Sequence, residues 1–399
     1  MASIKALVKS DLLVWTRKRA KVKADEAAKA AGVPVERLEA WEGGAEAPTI
    51  AQLRSLAAKY QFPLAVFYLP EPPSDFAPLR DFRRLPEAMD EAIGPNLAFH
   101  IRAAYERREV ALELLDAQNA QPEPFPIKVT IKDDPEKVGE AIRGLLGVDD
   151  ESQKQASRNA FDFWRRRMED RDILVFVISG PHRAVELSQM RGFAIARSKL
   201  PVVVVNGRDY SHGGKAFTLL HELVHIALGE SAISNGATEE LGSTAEDQRI
   251  ERFCDAAAAA ALMPKRLISS LAEPYPAGER EWTDAELRSI AGAIGVSREA
   301  LLIRFVTLKR ATWSFYGEQR QRFIEEYRRA AEEKAAQEKK PVQIKRSIML
   351  MSWNGRGYTR LVLSSYYNRR ITLNDVSSYL GAKVKHIPAL ERATFQTAK

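Results

Sequence analysis

Cysteine is nearly absent from this chain of 399 residues. One thiol, Cys254, stands beside only six histidines. That scarcity excludes a disulfide framework and any cysteine-rich zinc site, and it fits a reducing compartment. Long apolar runs are also missing. The longest candidate, Ala256 to Met263, has eight residues and is mostly alanine, far short of the ~18 that a membrane helix needs. Asp11 and Arg17 interrupt any signal-like apolar stretch near the N-terminus. The expectation is therefore a cytoplasmic protein with no membrane partner. With 45% hydrophobic residues the chain can build a core, so global disorder is excluded, and its length suggests two or three domains.

Charge is plentiful, but its excess is local. The chain carries 60 Lys plus Arg and 53 Asp plus Glu, a balance of +7. Residues 341–399 hold ten of the cations and only two acids, Asp375 and Glu391, an excess of eight, which leaves the first 340 residues at −1. A basic protein on paper is a neutral protein with a basic C-terminal region. Nucleic acid is thus a question about particular segments.

Element signals divide the chain into five stretches and predict a multidomain fold. Residues 1–70 read as short helices. Gly32 stops one of them, and Pro34 begins the next, which ends at Gly43-Gly44, the plan of a helix-turn-helix domain. Residues 71–127 combine a proline-rich boundary with a long amphipathic helix that begins near Glu87. Residues 128–275 concentrate the strand signals, at Ile173–Ile178, Gly192–Ala196 and Val202–Val205, among helices at Asp134–Leu146, Ser157–Met168, Phe217–Leu228 and Gln248–Met263, an α+β mixture. Residues 276–340 are helical, broken at Gly295-Val296. Residues 341–399 form a basic helical region with a turn at Gly381.

The chemistry is concentrated in His221-Glu222-Leu223-Val224-His225. Residues four apart share a helical face, so both imidazoles can reach one metal ion. Glu222 lies one position round from that face. It can serve as general base towards a water that the ion activates, without taking a coordination site. A chain of this composition produces the pentapeptide by chance in roughly one case per hundred or fewer.

A third ligand is needed to leave one position open. The next helix offers Glu246, Asp247 and Glu251. Glu251 is preferred because it leads directly into the alanine run, whose small side chains permit close packing; by spacing alone Glu246 and Asp247 remain alternatives. Asp255, one turn on, suits a role orienting a ligand imidazole.

This arrangement resembles the ImmA/IrrE metallopeptidases: an HExxH helix, a Glu about 30 positions on, and an alanine-rich helix ending in Leu262-Met263-Pro264. Aligning Met263-Pro264 puts Glu251 on the family's metal-binding Glu. Cys254 and Asp255 stand where the family has Ala-Asn. Residues 1–70 resemble Xre-type domains through Gly32-Val33, Trp41-Glu42-Gly43 and Pro48-Thr49, and Asp81-Phe82-Arg83 resembles chains in which such a domain precedes the peptidase. The resemblance implies a zincin-like fold in the peptidase core and a Zn2+-dependent endopeptidase, with Mn2+ as the alternative ion. It implies cleavage of an Xre-type repressor or antitoxin in a stress or mobile-element response. His221, His225 and Glu251 would be the ligands and Glu222 the base. Tyr210 and His212, just before the metal helix, are the candidate donors to the oxyanion.

DNA is a further candidate partner. Arg17, Lys18 and Arg19 on the first helix and Arg37 on the presumed reading helix are the candidate contacts. Glu36 and Glu39, however, put two acids on that reading helix, a departure from a productive DNA reader. In the tail, Trp353, Tyr358, Tyr366, Tyr367 and Tyr379 interleave with cations, the composition either of a single-strand platform or of a small helical core. The competing functional reading is a DNA-binding transcriptional regulator or antitoxin whose metal domain only senses.

Overall fold

The computed structural model describes residues 5–72, 80–81, 94–179, 183–209, 211–234, 245–337 and 345–395. The chain divides into two compact units. One comprises Met1–Pro78, Arg84–Glu106 and His182–Val185; the other comprises Leu79–Arg83, Arg107–Pro181 and Glu186–Lys399.

The first unit is helical. It contains α1 (Ser10–Arg19), α2 (Ala24–Ala31), α3 (Val35–Glu42) and α4 (Ile50–Tyr60), followed by a 3-10 turn at Leu64–Tyr68. Gly32 ends α2 in the left-handed region at φ 68°, which costs glycine little, and Val33 N–H closes the turn on Ala28 O. Thr49 and Gln52 form a reciprocal capping box at the start of α4. Leu12, Leu38, Trp41, Leu53, Leu56 and Phe67 fill the core.

The second unit is α+β. Its five-stranded sheet runs in the order β1 (Arg80–Asp81), β5 (Ala232–Ser234), β3 (Gly192–Ile195), β4 (Val202–Asn206), β2 (Leu174–Ile178). β2 and β1 lie parallel to their neighbours, whereas β3 is antiparallel to both β4 and β5. The β-branched runs at 173–178 and 202–205 become β2 and β4, buried along their whole length. Such runs without polar alternation fit strands covered on both faces.

Alternate residues feed opposite sides. Val175, Val177, Ala194, Val203 and Val205 join the core that contains Leu219, Leu220, Val224 and the alanines of the metal-side helices. On the other side Phe176 meets Tyr358 edge-on, at 5.6 Å between ring centroids. Residues 346–395 therefore form part of this unit. They supply α15 (Arg346–Asn354), α16 (Arg356–Tyr367), α17 (Leu373–Leu380) and α18 (Ile387–Phe395). Glu169 anchors them: its Oε2 accepts hydrogen bonds from the backbone N–H groups of Arg356 and Gly357 at the start of α16, at 3.1 and 3.2 Å. Arg165 ties Val175 O to Ser352 O, at 2.7 Å each.

The intervening helices are α5 (Pro95–Asp116), α6 (Pro135–Leu146), α7 (Asp150–Gln155), α8 (Ala160–Glu169), α9 (His212–Leu228), α10 (Ala245–Leu262), α11 (Lys265–Leu271), α12 (Asp284–Ile294), α13 (Arg298–Thr307) and α14 (Trp313–Gln337). Two differences from the sequence reading matter. Helix α9 starts at His212 rather than Phe217, because Ser211 Oγ accepts Gly214 N–H at 3.0 Å and so outweighs the two glycines that follow. Residues 232–234, which carry none of the strand signals read from the sequence, form β5. No helix among the described residues is long and apolar enough to cross a membrane.

Helix α6 crosses α10 at the limit of approach. A Cβ placed on Gly139 would lie 2.6 Å from the backbone nitrogen of Ala261. Gly144, on the same helix, would meet nothing within 4 Å. Gly139→Ala should thus destabilise the protein by about 1–3 kcal/mol, whereas Gly144→Ala should stabilise it by up to about 1 kcal/mol. Urea unfolding of the two variants checks this; equal effects of the same sign would contradict the close crossing.

Candidate metal centre

Helix α9 runs beneath the sheet with its middle three turns buried, so the two histidines four residues apart face inwards. Helix α10 lies against it. Alanine supplies almost all of the packing surface of α10 beyond Asp255, and Ala257, Ala258, Ala260 and Ala261 are fully enclosed. The last carbonyls of α10 point into the protein, where no further helical turn can satisfy them. Arg143 donates to Ala261 O at 2.9 Å, Gln153 to Leu262 O at 2.8 Å, and Arg304 to Met263 O at 2.9 Å.

This positioning gathers His221, His225 and Glu251 into one group with its potential ligand atoms within 4.8 Å of one another. His221 Nε2 and His225 Nε2 are 3.1 Å apart. Glu251 Oε2 is 3.4 Å from His221 Nε2, and Glu251 Oε1 is 3.2 Å from His225 Nε2. Two ligands at ~2.0–2.1 Å from a tetrahedral ion stand about 3.3 Å apart. The donor set therefore fits a divalent ion of zinc size, and its two neutral nitrogens and one carboxylate suit that chemistry.

Asp255 fixes the first imidazole. Its Oδ1 lies 2.9 Å from His221 Nδ1, so a proton on Nδ1 is donated to the carboxylate and the Nε2 lone pair is turned towards Glu251 and His225. Burial opposes a charge on His221, but the hydrogen bonds to Asp255 and Glu251 outweigh it and hold the group well above the ordinary histidine value. For His225 burial prevails, and the neighbouring His221 adds to it, so this group sits low. Burial would raise Glu251, yet its bonds to both imidazoles hold it far below the usual carboxylate range. Cys254, beside these three groups, is enclosed, and burial pushes its thiol well up.

Glu222 is completely buried next to the strand β3. A Cβ on Gly192 would come within 2.7 Å of its Oε1 and 2.6 Å of Thr218 Cγ2. Gly192 and Thr218 were absent from the sequence-derived site. Their signals were a glycine opening a strand, a mark of close approach, and a threonine one turn ahead of the glutamate.

The other expected residues are distributed differently. Glu246 is exposed in the first turn of α10, and neither it nor Asp247 belongs to the ligand group. His212 is exposed at the start of α9. Nine residues separate it from His221, about 13 Å along the axis and half a turn round, so the structure does not bring it to the histidine pair. Tyr210 lies outside the described residues. In the helical first unit Arg17 is engaged by Glu42 through two bonds, Nε to Oε1 at 2.7 Å and Nη2 to Oε2 at 2.8 Å. Arg37 pairs with Glu46 at 3.3 Å, Lys18 is exposed and Arg19 half-buried.

Titration of metal-free protein with zinc, followed by chelator competition, checks the donor set. His221→Ala and Glu251→Ala should each abolish tight binding, Asp255→Ala should weaken it by about 10–100-fold, and Glu246→Ala should leave it unchanged. Zinc at about a hundred times its Kd should also stabilise the wild-type protein by about 2.7 kcal/mol.

Residues 168–306, the stretch from the end of α8 to the end of α13, match the model of the Peptidase_M78 family, described as the IrrE N-terminal-like domain. No curated protein matches the chain. The matched stretch is of a metallopeptidase type, and it contains all three members of the ligand group together with Glu222.

Proposed function

We propose that the protein is a zinc-dependent endopeptidase whose N-terminal helix-turn-helix domain is regulatory. The observation that carries this reading is the convergence of His221, His225 and Glu251 from two helices, with the buried Glu222 on the same helix as the histidine pair. A bare sensor site has no need of that fourth residue.

His221, His225 and Glu251 would hold the ion, with Mn2+ as an alternative to Zn2+. The ion, when bound, supplies Lewis acidity towards water and a peptide carbonyl. Glu222 takes the proton from the attacking water and passes it to the leaving amine. Burial among Thr218 and the Gly192 backbone restricts its rotamers, so its carboxylate is positioned before substrate arrives. Asp255 keeps the His221 tautomer correct. The oxyanion needs a further donor, and Tyr210 remains the proposed one.

The proposed substrate is a repressor or antitoxin of the Xre type. The helical first unit supports this choice: α2 and α3 join through the left-handed Gly32, and the exposed face of α3 carries Glu36 and Glu39 beside Arg37. Such a face is better suited to a protein than to a polyanion, so the first unit would hold a partner or control the peptidase.

The test is incubation of the purified, zinc-loaded protein with Xre-type repressors encoded beside its gene, with cleavage read by mass spectrometry. Glu222→Gln should keep its metal and lose about 10²–10⁴-fold in rate, the usual worth of a general base. Gly192→Ala should also retain zinc and lose activity through displacement of Glu222. Full activity in Glu222→Gln would sink the peptidase mechanism.

A further inference from the structure

The cations of residues 345–395 remain after the metal centre has been accounted for. The aromatic residues of this stretch are largely consumed by packing. Tyr358 is buried against Phe176, the Trp353 indole donates to Ser179 Oγ and lies under Arg346, and Tyr367, exposed beside Phe395, gives its hydroxyl to Glu391. A stacking platform for single strands is therefore not left over.

The cations are left over. Arg360, Arg369, Arg370, Lys383, Lys385 and Arg392 are all exposed. None of them forms an ion pair among the described residues. Both acids of the stretch are already engaged by neutral groups, Asp375 with Thr372 N–H and hydroxyl at 2.8 Å each, and Glu391 with Tyr367. The N-terminal unit is the opposite case, with Arg17 on Glu42, Arg37 on Glu46 and Lys59 on Glu26.

The scaffold under these cations has a definite form. Helix α17 ends at Gly381 in the left-handed region, φ 59°, and Ala382 N–H returns to Ser377 O at 3.0 Å. The same turn joins α2 to α3 through Gly32 and Val33, with a bond of 3.0 Å to Ala28 O. After it, a 3-10 turn at Val384–His386 leads straight into α18. Ile387, Leu390 and Thr394 turn inwards, which leaves Lys385, Pro388 and Arg392 on the outer face, spaced over two turns. A short helix, a connection over residues 381–386 that carries Lys383 and Lys385, and a second helix that carries Arg392 outwards follow the helix-turn-helix plan, whose second helix lies in the major groove.

We propose that α17, the turn at Gly381 and α18 form a binding surface for duplex DNA, with Lys383, Lys385 and Arg392 as its phosphate contacts. Charge complementarity and the helical turn favour duplex DNA over RNA or an acidic protein. The surface lies outside residues 168–306 and is independent of the peptidase reading.

The experiment uses the full-length protein and a fluorescein-labelled DNA duplex of about three helical turns, with anisotropy recorded over a series of salt concentrations. The single strand and an RNA hairpin serve as parallel probes. The expected result is binding that weakens steeply with salt and is tightest for the duplex. The triple variant Lys383→Gln, Lys385→Gln, Arg392→Gln should bind about tenfold or more weakly, and its logarithmic salt slope should be shallower by about 3, close to one per lost phosphate contact. Its circular dichroism and zinc affinity should match the wild type. The control variant Lys18→Gln, Arg37→Gln should bind duplex as the wild type does. Absence of salt-dependent duplex binding overturns the proposal, as does tighter binding of RNA or single strand, or a loss confined to the Lys18 and Arg37 variant.

Discussion

The metal centre depends on how closely α10 can lie against its neighbours. Glu251 reaches two imidazoles on α9 only because the surface of α10 beyond it is built of methyl groups, and because α6 presents Gly139 rather than a larger residue at the crossing. Interaxial distance follows side-chain size. The same burial that permits this approach isolates the C-terminal carbonyls of the helix. Arg143, Gln153 and Arg304 then become structural necessities, since an uncompensated buried polar group costs ~1–3 kcal/mol. Each arginine is itself compensated, Arg143 by Asp150 and Arg304 by a two-bond pair with Glu136. A ligand carboxylate at one end of α10 is thus held in place by ionic contacts near the other.

The sequence was most informative where chemistry and periodicity coincide. The HExxH spacing identified the helix, and the alanine run singled out Glu251 among three acids, because small residues imply close packing and close packing implies reach. Strands β2 and β4 were legible from their β-branched density, and β3 was expected at Gly192–Ala196. Strands β1 and β5 carry no such signal, being two and three residues long. Residues 341–399 were read as a basic helical region, but the separate helices α15 and α16 were not marked out within it. What orders that stretch is a carboxylate 187 positions earlier, Glu169, at the start of α16. Gly192 was marked only by its place at the opening of a strand, and what passes next to it, Glu222, was not legible from that place alone. The fate of Arg17 also depended on a partner 25 residues away.

The sheet acts as a shared wall. Consecutive residues of β2 serve different interiors, Val175 and Val177 the metal side and Phe176 the side closed by α16. Side chains in a strand alternate with a period of two, so sliding β2 by one residue against β4 would exchange the contents of the two interiors at once. The phenylalanine would then be turned into the core on the metal side, and Tyr358 would lose its ring partner. The two chambers are therefore matched in register as well as in volume, and an insertion within 174–178 would be felt on both sides even if every individual contact residue were retained.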